Sequence, residues 1–137
     1  VIRYGEVYLI LAEAYLRGTN PDEAKAKYYI NELRKKHVHA DDGSYIDVDK
    51  LMQMYPDRFK SVIDVLWYER RCELACEGDR WFDLVRSGRA EEVMMPILRR
   101  DYGISAWSKK FNYLPIGSIE ISNSGNSLTE YPDEANE

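Results

Sequence analysis

Three glutamates and the arginines around them form the densest group of side chains that could do chemistry. Glu69, Glu73 and Glu77 are spaced by four residues, so they share one face if the segment is helical. Carboxylates at that spacing repel one another by roughly a few tenths of a kcal/mol per pair unless cations neutralise them. The sequence therefore predicts a structural network of arginine–carboxylate bonds that locks this helix to the next. Its predicted members are Glu69, Arg70, Glu73, Glu77, Arg80, Asp83 and Arg86, with Arg71 as a further nearby cation.

The same carboxylates could be imagined in catalysis, but their spacing disfavours it. Glycoside hydrolysis needs two carboxyl groups that face each other across the substrate, which side chains stacked along one helix do not. A dimetal carboxylate site needs Glu-x-x-His pairs, and neither histidine is near. The chain also has no G-x-S-x-G and no H-E-x-x-H motif. We therefore expect no catalytic residue, no metal, no cofactor and no enzymatic activity.

The histidines and cysteines are expected to be inert. His37 and His39 fall in a charged loop, where solvation is the simplest state. Cys72 and Cys76 lie four residues apart in a helical pattern, and their parallel Cα–Cβ vectors would strain a disulfide between them. A zinc site would require more ligands. We therefore expect two small buried hydrophobic side chains.

Aromatic side chains make up 12% of the sequence, with 11 tyrosines and 3 tryptophans. Tyr and Trp combine a flat apolar face with a polar edge, which suits stacking on sugar rings and also ordinary helix packing. Trp67 and Trp81 fall on apolar helix faces and are expected in the core. Trp107, followed by Tyr102 and Tyr113, lies in an irregular segment. These three are the predicted ligand-binding candidates, although packing is the commoner role for such residues.

The charge balance argues against nucleic-acid binding. The net charge is −5 and the isoelectric point is about 5.1, whereas phosphate recognition depends on clustered Lys and Arg. A hydrophobic fraction of 45% is typical of a folded chain. No run of 18 apolar residues is present that could span a membrane. Because the sequence opens at Val1 inside a helical pattern, we expect a piece of a longer protein with any targeting signal upstream.

The N-terminal 36 residues predict a helical hairpin. Apolar residues recur at helical spacing between Arg3 and Arg17, and Gly18 fits a helix end. The second helix has a start signal, with Asn20 as the expected cap, Pro21 in the first turn and Glu23 at capping-box spacing. Such a hairpin is one unit of a tetratricopeptide-like architecture. A second unit at a period of about 34 residues is not evident.

The remaining segments predict further helices and then an irregular tail. A short helix is expected from about 47 to 54, with Asp47 or Asp49 as its cap and Pro56 as a break. A long helix is expected from Asp57 to about Glu77, ending at Gly78, followed by a short helix through Arg86. Residues 90–100 predict one or two helical turns interrupted by Pro96. Residues 102–137 predict an irregular tail without strand pairing.

One long motif resembles that of a known family. The stretch from Glu69 to Arg86 fills every fixed position of the pattern E-R-x-x-E-L-x-x-E-G-x-R-x-x-D-L-x-R, which resembles the hallmark of the SusD/RagB family. Three flanking segments are also similar to that family: residues 3–14, residues 30–34 and the Leu114-Pro115-Ile116 run with Glu120-Ile121. The chain departs at Gly117, where a second proline is usual, and at residues 123–132, which lack the usual ending.

This resemblance implies an all-α, tetratricopeptide-like fold in which residues 1–137 form the C-terminal segment of one domain: hairpin 1–36, motif helices 57–100 and tail 102–137. It implies a non-catalytic outer-membrane lipoprotein on the cell surface. Such a protein binds glycans for uptake through a partner SusC-like, TonB-dependent transporter. Its membrane contact would be an N-terminal lipid anchor outside this chain. The alternatives are a tetratricopeptide-type protein-interaction module, a peptide-binding lid and, least favoured, a hydrolase.

Overall fold

The fold is all-α, as predicted. The computed structural model describes residues 3–37, 45–125 and 127–129. Across those ranges it contains helices and no strand. The α-helices are α1 (Tyr4–Arg17), α2 (Glu23–His37), α3 (Val48–Met54), α4 (Val62–Glu73), α5 (Arg80–Arg86), α6 (Ala90–Tyr102) and α7 (Ser118–Asn123). The chain divides into two compact units, Val1–Arg80 and Trp81–Glu137.

The predicted hairpin opens the first unit. Helix α1 ends at Arg17, where the Gly18 amide donates to the Ala14 carbonyl at 2.9 Å. The prediction of Asn20 as the cap of α2 is wrong, because the Asp22 carboxylate accepts from the Lys25 amide at 3.0 Å. Asp22 also fixes the turn through its amide, which donates to the Tyr15 carbonyl at 2.8 Å. The cap of α2 therefore lies two residues later than predicted, because residues 18–21 form the connection between α1 and α2.

Helices α3 and α4 close the first unit against the hairpin. The prediction of α3 is confirmed, and Asp47 rather than Asp49 is its cap, accepting from the Lys50 amide at 2.8 Å. Asn31 on α2 holds the start of α3 by accepting from the Val48 amide at 2.9 Å. The core beneath is apolar and belongs to this unit alone. Its buried members are Leu9, Ala12, Ala26, Ile30, Leu33, Val48, Leu51, Phe59, Val62, Val65 and Leu66.

The predicted long helix from Asp57 to Glu77 is shorter at both ends. It begins at Val62, because the Asp64 carboxylate gathers the Lys60 amide, the Ser61 amide and the Ser61 hydroxyl at 2.9–3.1 Å. Pro56 and this cap together leave residues 55–61 outside the helix. The helix ends at Glu73, with Leu74 as its C-cap. Trp67 is buried, as predicted.

The turn after α4 overturns the prediction for the cysteines. Cys76 takes a left-handed conformation with φ +66°, and Gly78 follows with φ +91°. A left-handed non-glycine residue is uncommon, and this one lies in the turn between the end of α4 and Gly78. Cys72 and Cys76 are both free and exposed rather than buried. The apolar position that the turn does bury is Leu74.

The second unit carries α5, α6 and the tail. Helix α5 ends at Arg86, as predicted, with Leu84 buried and Phe82 exposed. The predicted interruption at Pro96 is absent, because α6 continues through it for 13 residues. Proline removes one amide donor, and the hydrogen bonds before and after it hold the helix. Gly103, left-handed at φ +68°, ends α6.

The tail is partly ordered rather than irregular throughout. Residues Lys109–Asn112 form a short 3-10 helix that begins at Ser108, and α7 covers the Ile119–Ile121 run. Residues 126 and 130–137, which include four of the ten residues 123–132 that depart from the family ending, lie outside the described residues. Across the described part of the chain, no helix is both long and apolar enough to cross a membrane.

Candidate functional site

Glu73 is the centre of a charge cluster at one end of the hairpin. Its carboxylate accepts from Arg3 Nη1 at 2.9 Å, and its backbone carbonyl accepts from Arg3 Nη2 at 2.6 Å. The carboxylate also lies against the first turn of α1, since a Cβ on Gly5 would meet Glu73 Oε1 at 2.3 Å. A carboxylate at a helix N-terminus is stabilised by the helix dipole. Gly5 is therefore a position of close approach between α1 and the end of α4.

Arg3 also holds the turn that follows α4. Its Nε donates to Glu77 Oε2 at 3.0 Å and its Nη2 lies 2.6 Å from Glu77 Oε1. Both edges of one guanidinium thus engage carboxylates, which is the geometry that suits arginine. The hydrogen bond to Glu77 is the main cause that raises the pKa of Arg3. Arg3, the residue just before α1, therefore binds both Glu73 and Glu77.

Glu69, one turn before Glu73, is the buried member of the cluster. Its carboxylate pairs with Arg34 of α2, which also donates from Nε to the Ile46 carbonyl at 2.8 Å. Burial raises the pKa of the Glu69 carboxyl, and the Arg34 charge opposes that rise. Arg34 of α2 thus binds both Ile46, which lies just before α3, and Glu69 of α4.

His37 belongs to the same cluster, so the expectation that it is merely solvated is wrong. It is the last residue of α2, and its Nε2 lies 2.8 Å from Glu73 Oε2. The helix extends one residue into the segment that was predicted to be a loop, and this carries the imidazole to the carboxylate. His39 lies outside the described residues.

The partners of these glutamates thus include three residues that sequence reasoning missed: Arg3, Arg34 and His37. They lie 35–74 positions away along the chain, so spacing within the motif could not reveal them. Asp83 and Arg86 of the predicted network do pair, with Arg86 Nε donating to Asp83 Oδ1 at 2.9 Å within α5. Arg70 on α4 and Asp83 are both buried.

The cluster surrounds a solvent-open cleft of about 400 Å³. Its lining residues are Arg3, Arg34, His37, Glu69, Cys72, Glu73 and Glu77. Each of its three carboxylates is engaged by a cation of the hairpin, so the arrangement holds helices together. Among the described residues, no group of three or more His, Cys, Asp or Glu side chains is placed to hold a metal ion.

The predicted ligand-binding aromatics lie in the second unit and are not equivalent. Trp107 is half-buried, with its ring centroid 5.3 Å from Phe111 and 6.4 Å from Trp81. Trp81 is accordingly half-buried instead of fully in the core. Tyr102 and Tyr113 are exposed, by 74% and 54%. Trp107 is thus fixed by neighbouring rings, and the two tyrosines present open surface.

A second aromatic group, in the first unit, was not singled out from the sequence. Five tyrosine rings are in contact here, and we call them the tyrosine cluster. Tyr8 and Tyr15 of α1 contact Tyr29 of α2, Tyr4 contacts Tyr8, and Tyr28 contacts Tyr29. Tyr8 and Tyr15 pack against the core, whereas Tyr4 is 67% and Tyr28 is 56% exposed. The i, i+4 spacing of Tyr4 and Tyr8 is the feature of the sequence from which part of this cluster could be predicted.

Comparison with known proteins decides the family. The sequence profile of the SusD family matches residues 1–132. The chain belongs to the SusD family. This SusD-family chain is 33% identical over 115 residues to the SusD-like protein P38 of Formosa agariphila, a match that covers 83% of the chain and 22% of that protein. It is also 34% identical over 95 residues to the SusD-like protein P2 of the same organism, which covers 69% of the chain and 18% of that protein.

These matches confirm the resemblance drawn from the Glu69–Arg86 motif. The chain spans about a fifth of the length of the curated relatives it matches. No solved structure matches it significantly.

Proposed function

We propose that this chain is the C-terminal part of a non-catalytic, cell-surface protein that captures glycans for uptake through a partner TonB-dependent transporter. The observation that carries the proposal is membership of the SusD family across residues 1–132. Two named relatives, both described as SusD-like proteins, support it. The protein would sit at the outer membrane through an N-terminal lipid anchor, and no nucleic acid would take part.

The charge cluster would serve this function as scaffold. Arg3 and Arg34 each join segments that are far apart in sequence, and the carboxylates they hold are those of the family motif. Catalysis by acid and base would require a carboxyl group free to exchange a proton with substrate. Glu73 instead accepts from Arg3 and lies beside His37. We therefore assign the motif to holding the hairpin against α4.

The contact with glycan would come from aromatic rings. We propose Trp107, Tyr102 and Tyr113 as ligand-contacting residues of the second unit, with Trp107 the most preorganised because two rings flank it. Stacking on a fixed ring costs less conformational entropy than stacking on a mobile one.

The test is affinity gel electrophoresis of the full-length protein in gels that contain one soluble polysaccharide each. Retardation by one polymer, absent for a non-binding protein of similar size, supports glycan capture and identifies the ligand class. Release of reducing sugar from any of these polymers would contradict the non-catalytic assignment. Retardation by none of the polymers would turn the proposal toward the alternatives, a peptide-binding lid or a tetratricopeptide-type interaction module.

A further inference from the structure

The tyrosine cluster forms a preorganised aromatic surface on the hairpin. The rings of Tyr15 and Tyr29 are stacked, with 5.7 Å between centroids and 9° between planes. Tyr29 continues the contact to Tyr8 at 5.9 Å, and Tyr8 meets Tyr4 edge-on at 4.9 Å. Because Tyr8, Tyr15 and Tyr29 also pack on the core, the positions of the exposed rings are fixed from below.

The surface is long enough for several sugar rings. Tyr4 and Tyr15 are eleven residues apart on α1, which at the helical rise corresponds to about 16 Å. Tyr28 flanks this line from α2, with its ring centroid 5.3 Å from that of Tyr29. Each exposed ring offers an apolar face together with a hydroxyl group at its edge. This combination matches the mixed apolar and polar surface of an oligosaccharide.

Lysine ammonium groups lie over the rings at both ends of the surface. Lys36 Nζ is 4.5 Å from the ring centroids of both Tyr4 and Tyr8, and Lys25 Nζ is 5.2 Å from that of Tyr15. Lys25 shares its charge with Asp22 at 3.4 Å. Lys36, by contrast, is exposed and has no ion pair with any carboxylate of the described residues. The nearest acidic neighbour on α2, Glu32, is engaged by Lys35 at 2.8 Å.

We propose that the tyrosine cluster and Lys36 form a binding site for acidic oligosaccharides, those that carry uronate carboxylates or sulfate esters. The rings would stack on the sugar faces, and the Lys36 ammonium would bind the anionic group by charge-assisted hydrogen bonds. An ammonium is positively charged and supplies three donors, so it binds an anionic group more strongly than a neutral hydroxyl and favours acidic over neutral sugars. This site deepens the proposed function and rests on it.

The test uses polymer pairs that differ only in charge. Affinity electrophoresis of the full-length protein compares polygalacturonate with its methyl ester, and dextran sulfate with dextran. We expect retardation by at least one acidic member of these pairs, much weaker retardation by its neutral counterpart, and weakening of the binding by added salt. The first pair detects uronate recognition and the second detects sulfate recognition.

Variants locate the binding. Lys36→Gln and Tyr4→Ala are each expected to weaken binding of the acidic polymer about tenfold, since each removes one principal contact. Tyr4→Phe retains the ring and should stay near wild type. Lys50→Gln is the matched control: it removes an exposed lysine charge on α3, a helix that carries none of the cluster's residues, and should change affinity less than about twofold. The circular dichroism spectrum and the melting midpoint of each variant, compared with those of wild type, check that the variant is folded.

Three results would overturn the site. They are equal retardation by charged and neutral members of each pair, equal losses in Lys50→Gln and Lys36→Gln, and no retardation by either acidic polymer. A fourth result separates the two proposals: if an acidic polymer retards the protein and all four variants bind it as well as wild type, glycan capture stands and the site on the hairpin is rejected.

Discussion

Gly5 is the residue at which the close contact between α1 and Glu73 can be tested. A methyl group there would meet Glu73 Oε1 at 2.3 Å and the Glu73 carboxyl carbon at 2.9 Å. We expect Gly5→Ala to displace this buried carboxylate from Arg3 and to lower the free energy of unfolding by about 1 kcal/mol. That is the cost of the lost charged hydrogen bond less the helix-propensity gain of alanine. Urea denaturation measures it.

The control for Gly5→Ala is the same change in a Glu73→Ala background. With the carboxylate gone, only a small movement of Leu33 is needed, and alanine should stabilise the helix by about 0.5–1 kcal/mol. A destabilisation of equal size in both backgrounds would show that the contact with Glu73 is not the cause.

Glu69 gives the fold a pH dependence of defined sign. Burial raises the pKa of this carboxyl above its ordinary value of 4.5, so between the two pKa values the folded state binds more protons than the unfolded state. The contribution of Glu69 to stability is therefore full below the ordinary pKa and is lost as pH rises through the raised one. We expect the stability of wild type relative to Glu69→Gln to fall as the pH rises from about 4.5, the ordinary pKa, through the raised pKa of Glu69.

Arg34 provides the internal check on Glu69. Because the Arg34 charge opposes the rise in the Glu69 pKa, Arg34→Gln should make the loss of stability with pH steeper than in wild type. Urea denaturation of the three proteins across this pH range measures the effect. A wild-type stability that rises with pH relative to Glu69→Gln would contradict the assignment.

Trp107 is the residue at which packing and ligand binding must be separated. Its ring contacts Phe111 and Trp81, so Trp107→Ala should cost about 1–3 kcal/mol of stability through lost packing. If Trp107 also contacts glycan, affinity for the retarding polysaccharide should fall at temperatures where the variant is fully folded. Phe82→Ala, an exposed ring in α5, is the control. Wild-type stability together with wild-type affinity would leave Trp107 without a binding role.

At the scale of elements, α4 is set by its N-terminal cap. The Asp64 carboxylate accepts from three donors at residues 60 and 61. We expect Asp64→Ala to destabilise the protein by about 1–2 kcal/mol, since it removes these bonds and a favourable charge in the first turn. Asp57→Ala, at the start predicted from periodicity, should change stability by less than about 0.5 kcal/mol. Thermal unfolding measures both changes in stability. A larger loss of stability for Asp57→Ala than for Asp64→Ala would indicate that α4 begins near Asp57, as the periodicity predicts.

The elements show where sequence reasoning succeeds. Helices α1, α2 and α3 follow from apolar spacing at 3.6 residues, and the cap of α3 follows from Asp47; both are local signals. The two ends of α4 were not predicted from these signals. At its start, the Asp64 side chain accepts hydrogen bonds from residues just before the helix, and after its end Cys76 takes a left-handed conformation that favours glycine. The sequence predicts a break at Pro96, but a single missing donor does not end a helix whose other bonds persist.

The charge cluster shows why the site was only partly predictable. The carboxylates Glu69, Glu73 and Glu77 are visible as a local pattern. Their partners Arg3 and Arg34 are brought to them by the packing of α1 and α2 on α4, which is a tertiary property. The family motif identifies the carboxylates without naming these partners. A search for cations among the nearest residues alone therefore finds an incomplete network.

At the scale of the whole molecule, the first unit has the contents of an independent fold. The residues of its core cluster lie between Leu9 and Leu66 in the sequence. The Arg3–Glu73 and Arg34–Glu69 ion pairs connect the hairpin to α4. Each of these residues precedes the unit boundary at Arg80. The apolar burial and the ion pairs that stabilise the hairpin against α4 are thus all present in that stretch.

We therefore expect a fragment that ends at Arg80 to fold cooperatively on its own, with lower stability than the full chain because a domain of this size buries less of its surface. Circular dichroism should show helical content, and a single urea transition should show cooperative unfolding. Adding Glu73→Ala should weaken this fragment as much as it weakens the full chain, since the partners of Glu73 are within it. A fragment without a cooperative transition would show that residues 81–137 are required for the first unit to fold.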